Sequence, residues 1–103
     1  MKAVLDHVGI AVKDLEAALQ FYRDALGLEV EAPEDVPNQQ VRARFVPVGE
    51  SSGQGVGAPG VQLELLQATA PGSPITKFIE QRGPGLHHIT LRVDDIHAAL
   101  AWG

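Results

Sequence analysis

The feature that most constrains this chain is an internal repeat. LDHVGIAVKDLEAAL (5–19) and LHHITLRVDDIHAAL (86–100) align at a constant offset of 81. Seven of the 15 positions are identical, among them His7/His88, Asp14/Asp95 and Leu19/Leu100. Three more are aliphatic exchanges: Val8/Ile89, Ile10/Leu91 and Leu15/Ile96. A strand followed by a helix in each copy accounts for the aliphatic matches. It does not account for a histidine at the same point of both strands, so duplication of one structural unit is the better reading.

The first unit reads through to its end. Val8, Ile10 and Val12 alternate with His7, Gly9 and Ala11, which predicts a strand over 5–12. Asp14 is a suitable N-cap and Gly27 a suitable residue past the C-terminus, which predicts a helix over 15–26. Its apolar stripe is Leu15, Ala18, Leu19, Tyr22 and Leu26. Strands follow at 28–32, 41–48 and 61–66, with a loop at 33–40 and a glycine-rich flexible loop at 49–60. Ser73, Pro74 and Gly83 bound a short helix over 74–82. A strand at 86–93 and a helix from Ile96 open the second unit. The expected fold class is α+β: one complete βαβββ module plus the truncated start (βα) of a second, forming a curved mixed sheet with helices on its outer face. A single domain over 1–103 is expected, with 1–66 the first module, 67–85 a linker and 86–103 the incomplete module.

Composition narrows the function. The formal net charge is −5 and the 8 lysines and arginines are scattered, which argues against nucleic-acid or membrane-surface binding. No cysteine is present, so disulfides and thiolate–metal sites are excluded. The start is not a signal peptide, and no stretch reaches the length of a membrane span; a soluble cytoplasmic protein is expected. The 49–60 loop carries no following lysine and leads into a strand, so it is not a phosphate loop.

The informative residues lie on the polar faces of the strands. Alternation puts His7 with Gly9 and Ala11, Glu64 with Gln62, and His88 with Thr90 and Arg92. Two imidazoles and a carboxylate converging on one sheet surface make a divalent-metal site. A lone histidine is more often a solvated or backbone-bonded residue; a pair at equivalent repeat positions favours ligation. Alternation puts His87 on the apolar side with Ile89 and Leu91, so it is read as a rim residue or a support for a ligand. Arg92 is a candidate for contacting an anionic substrate group, and a solvated strand arginine is the competing reading.

LDHVGIAVKDLEAALQFYRDALGLEV, VQLELLQ and SPITKFIEQRGPGLHHITLRVDDI together resemble methylmalonyl-CoA epimerases of the vicinal oxygen chelate (glyoxalase-fold) superfamily. The likeness covers nearly the whole chain, and the last run is its most specific part. The resemblance implies paired βαβββ modules around a divalent ion (Co, Mn, Zn, Ni or Fe) with His7, Glu64 and His88 as ligands. A fourth ligand, a glutamate on a final strand, would fall roughly at position 145 by the repeat offset, past residue 103. It also implies an acyl-CoA substrate, epimerised through removal of the proton α to the thioester. Some relatives carry a glutamate where this chain has Ala43, so no catalytic base is assigned. A homodimer is expected. One form of it would share a site between two chains, each giving His7 and Glu64, with residues 84–103 displaced or swapped. The alternatives are a glyoxalase-type lyase, an extradiol dioxygenase, a metal-free binding module and an inactive or truncated metal-binding paralogue.

Overall fold

The computed structural model describes residues 2–48 and 60–101. Most of the glycine-rich loop therefore lies outside the described residues, as do Trp102 and Gly103. Strand β1 (Ala3–Ala11) leads to helix α1 (Leu15–Leu19). Asp14 caps it, accepting from the backbone N–H groups of Glu16 at 2.9 Å and Ala17 at 3.4 Å. The helix continues over Gln20–Ala25 as a π-helical segment, in which the N–H of Leu26 donates to the Phe21 carbonyl at 2.9 Å. The expected span is met, but the wider turn changes which residues face inward. Tyr22 packs on the core, whereas Leu26, expected in the apolar stripe, is 53% exposed. Gly27, with φ +72°, turns the chain out of the helix, a conformation open to glycine at no steric cost.

The strand expected at 28–32 is not part of the sheet ladder. Its links to the neighbouring strand are one backbone bond, from the Glu31 N–H to the Phe45 carbonyl at 2.9 Å, and one from the Arg44 guanidinium to the Glu31 carbonyl at 2.7 Å. Leu28 and Val30 still pack on the core, so the alternation reported burial rather than pairing. The edge strand is instead β2 (Glu34–Val36), inside the stretch expected to be a loop, followed by a 3₁₀ turn at Pro37–Gln39. Strands β3 (Val41–Pro47) and β4 (Gln62–Ala68), helix α2 (Pro74–Arg82), strand β5 (Gly85–Val93) and helix α3 (Ile96–Ala101) follow within two residues of expectation. In α2, the buried Ser73 hydroxyl accepts from the Ile75 N–H at 3.1 Å, and Pro74 fills the first position, where no N–H is needed.

The five strands form one sheet in the order β2-β3-β4-β1-β5. β1 and β4 are parallel; the other neighbours are antiparallel, and α1 carries the chain from β1 to the far edge strand β2. Two apolar clusters lie on opposite faces. Leu15 and Leu19 of α1 pack on Val46 and Leu65. Ile75, Phe78 and Ile79 of α2 pack on Ala11, Ala43 and Leu66. The expectation that helices cover one outer face thus holds for α1 and fails for α2. The small side chains of Ala11 and Ala43 let α2 lie close to the face that also carries His7 and Glu64. β5 pairs along β1 of its own chain. Among the described residues no helix is long and apolar enough to cross a membrane.

Candidate metal centre

Register decides where the polar side chains meet. Gly9 sits in the middle of a row across three strands, opposite Glu64 on β4 and opposite His88 on β5. His7 lies two residues earlier on β1, on the same face. The His88 side chain leans over the bare backbone of Gly9, and His88 and Glu64 both meet the His7 imidazole. A Cβ on Gly9 would stand 2.2 Å from His88 Cε1 and 2.4 Å from its Nδ1. The glycine is therefore the seat of the His88 ring.

The three inward atoms form a near-equilateral triangle. His7 Nε2 lies 3.4 Å from Glu64 Oε1 and 3.3 Å from His88 Nε2, and His88 Nε2 lies 3.5 Å from Glu64 Oε1. The rings of His7 and His88 meet edge to face at 5.4 Å, and Phe45 backs His7 at 5.9 Å. His7 and Glu64 are each 17% exposed at the side chain and His88 34%, so the opening lies on the His88 side. The donor set fits a divalent ion. Ligand bonds of about 2.0–2.1 Å would put neighbouring donors about 3.0–3.4 Å apart, close to the edges seen. Two imidazoles and a carboxylate are the donor types that borderline divalent ions take.

The surroundings correct the placing of His87. β5 carries a bulge at this position: Gly9 pairs with His88 but Ile10 pairs with Leu86, which leaves His87 as the extra residue. Strict alternation fails there, and the His87 ring lies against His88, Nδ1 to Nδ1 at 2.8 Å, rather than on the opposite face. Phe78 of α2 packs on it edge to face at 4.9 Å. Burial, and then the neighbouring His88, pushes the His87 imidazole below its usual range. On β1, Asp6 Oδ2 bonds His7 Nδ1 at 2.8 Å, and Arg92 bonds the other Asp6 oxygen. The His7 hydrogen bond, and then Arg92, hold the Asp6 carboxyl below the ordinary carboxylate range.

His7, Glu64 and His88 thus come together as expected, and Arg92 is placed on the site face but against Asp6. Ala43 is buried under α2, opposite Leu66, and offers no polar group. Sequence reasoning missed Gly9, Asp6 and Thr90, whose hydroxyl lies 3.1 Å from His7 Nε2. The repeat carried a signal for Asp6, since it occupies the position equivalent to His87. An open, apolar cavity of about 190 Å³ borders the site, lined by Val41, Leu66, Ile75, His87 and His88 among others. A larger one, about 310 Å³, lies by Leu15, Arg44 and Gln67 on the α1 side of the sheet, away from the three donors.

A model of the Glyoxalase/Bleomycin resistance protein/Dioxygenase superfamily matches residues 6–103. An ethylmalonyl-CoA/methylmalonyl-CoA epimerase of Cereibacter sphaeroides is 44% identical over 92% of this chain and 64% of its own. Among solved structures, a hypothetical protein of Bacillus halodurans superposes with a TM-score of 0.83 at 36% identity, over 99% of this chain and 67% of that one. A Streptomyces coelicolor methylmalonyl-CoA epimerase in complex with 2-nitronate-propionyl-CoA superposes with a TM-score of 0.78 at 33% identity, over 94% of this chain and 66% of that one. The chain spans about half to two thirds of the length of the sequence relatives it matches.

Proposed function

This chain belongs to the glyoxalase/bleomycin resistance protein/dioxygenase superfamily, and from that premise we propose that it serves a metal-dependent epimerase acting on methylmalonyl-CoA. The observation that carries this reading is the triangle of His7 Nε2, Glu64 Oε1 and His88 Nε2 over Gly9, in a chain with epimerases among its relatives. His7, Glu64 and His88 would hold the ion. A divalent ion held there would supply a Lewis acid for the thioester carbonyl oxygen as the α-proton leaves.

The chain's own residues then have defined tasks. Glu64 would serve as a donor, and a metal-bound carboxylate would stay deprotonated, which would make it a poor proton carrier. The apolar cavity beside His88 offers Val41, Leu66 and Ile75 to the methyl-bearing carbon and excludes water from one side of it. Arg92, joined to Asp6 and 51% exposed at its side chain, can still present N–H groups to a carboxylate on that side. Ala43 on β3 offers no group to move the proton, and no catalytic base is assigned.

The test loads metal-free protein with Co(II) and follows α-proton exchange of methylmalonyl-CoA in deuterated water, beside His88→Ala. The expected result is exchange that requires both Co(II) and His88. Co(II) binding without exchange would move the assignment to another substrate, and absence of Co(II) binding would end the metal reading.

A further inference from the structure

We infer that Asp6 and His87 are a matched pair of positioning residues, each seated at a β-bulge and each bonding Nδ1 of the histidine that follows it, so that both histidines turn Nε2 into the site. The inference rests on the metal reading above. It begins from register. Leu5 pairs with Leu91 and His7 with Thr90, which leaves Asp6 as an extra residue on β1. Gly9 pairs with His88 and Ile10 with Leu86, which leaves His87 as an extra residue on β5. The two extra residues are 81 apart, the repeat offset. The antiparallel pair β1–β5 therefore carries two bulges at equivalent points, one on each strand. A bulge re-aims side chains that strict alternation would send to opposite faces.

The consequence is two similar contacts. Asp6 Oδ2 lies 2.8 Å from His7 Nδ1, and His87 Nδ1 lies 2.8 Å from His88 Nδ1. A neutral imidazole has one N–H and one lone pair, and the bond made by one nitrogen sets the state of the other. A carboxylate can only accept, so His7 carries its proton on Nδ1 and turns a lone pair inward. In the metal-free protein the Thr90 hydroxyl, 3.1 Å from His7 Nε2, is placed to donate to that lone pair, a bond that a metal ion would replace. For His88 to ligate through Nε2, its proton must likewise sit on Nδ1, and the His87 Nδ1 lone pair is there to accept it. Each support is itself held. Arg92 grips the second Asp6 oxygen, and Phe78 packs edge to face on the His87 ring at 4.9 Å. Outer partners of this kind orient the ligand ring and raise its basicity.

The test reads the imidazoles directly. Long-range proton–nitrogen spectra of the metal-free, nitrogen-15-labelled protein at pH 7.5 should show His7 as its Nδ1–H tautomer. Asp6→Ala should move His7 toward the Nε2–H form, and Asp6→Asn, whose amide oxygen can still accept, should restore it. Zn(II) affinity should fall about 10–100-fold in Asp6→Ala and in His87→Ala, with Asp6→Asn near wild type and unfolding midpoints showing each variant folded. An unchanged His7 tautomer in Asp6→Ala would overturn the role of Asp6. Zn(II) affinity within twofold of wild type in folded His87→Ala would overturn that of His87. Wild-type protein that binds no Zn(II) would instead sink the metal reading, and the metal-free spectra would still decide what Asp6 does to His7.

Discussion

Gly9 is the smallest residue of the site and the one on which its geometry turns. It faces Glu64 on one side and His88 on the other, and the His88 imidazole occupies the space where a side chain would begin. Gly9→Ala should therefore leave the sheet intact, because the 34%-exposed His88 ring can swing toward solvent. It should cost the triangle one of its corners. Co(II) titrations followed by visible absorbance should show affinity falling at least about tenfold, with far-ultraviolet circular dichroism unchanged; wild-type affinity would show that the ring has another seat. The placing of Gly9 on the His7 face was legible from alternation. Its role was not, since nothing local to VGIAV says which residues of β4 and β5 stand beside it. His7, Glu64 and His88 were legible because each lies in an alternating strand and two of them mark the repeat. His87 was misplaced for the same reason that the others were found: alternation is reliable until a bulge adds a residue.

At the scale of elements, the π-helical segment after α1 separates two leucines that the sequence treats alike. Leu19 is fully buried against Val46 and Leu65, whereas Leu26 lies past the wide turn and is 53% exposed. Leu19→Ala should destabilise the protein by about 2–5 kcal/mol, the range for emptying a packed leucine site. Leu26→Ala should change it by about 0.5 kcal/mol or less, and urea unfolding measures both. The edge strand β2 shows a similar limit. Its residues Glu34–Val36 are all exposed, so they carry no hydrophobic signal. Asp35 is nonetheless tied to Arg42 on β3 at 2.8 Å, and that hydrogen bond holds its carboxyl below the ordinary range. The sign follows from the depressed value. The contribution of the pair is present above the unfolded carboxylate pKa of about 3.9 and is lost as pH falls below it. Asp35→Asn should therefore narrow the difference between urea midpoints at pH 5 and pH 3; an unchanged difference would show that the pair carries no pH-dependent stability.

At the scale of the molecule, β5 and α3 leave an apolar surface open. Leu86, Ile89 and Leu91 of β5 and Ile96 and Leu100 of α3 are each more than half exposed, and β5 is also a sheet edge. The chain should self-associate through this surface. Sedimentation velocity at micromolar concentration should show a dimer or larger species that Leu91→Lys reverts to monomer, and a monomeric wild type would refute this. Metal should also act on the whole fold, because the triangle draws on β1, β4 and β5 together. With free Co(II) at 100 times its Kd, stability should rise by about 2.7 kcal/mol, and chelation should reverse the gain; an unfolding midpoint insensitive to Co(II) would contradict the site. The sequence by itself determined the repeat, the position of most strands and helices, and the placing of His7, Glu64 and His88 on polar strand faces, because burial along one segment imprints a period that can be read locally. Only the tertiary structure decided that His88 rests on Gly9, that bulges set Asp6 beside His7 and His87 beside His88, that α2 lies on the site face and that β2 rather than 28–32 closes the sheet. Those outcomes depend on register and close approach between segments far apart in the chain. They are set by which backbones pair and which side chains are small enough to be crossed, and no single segment carries that information.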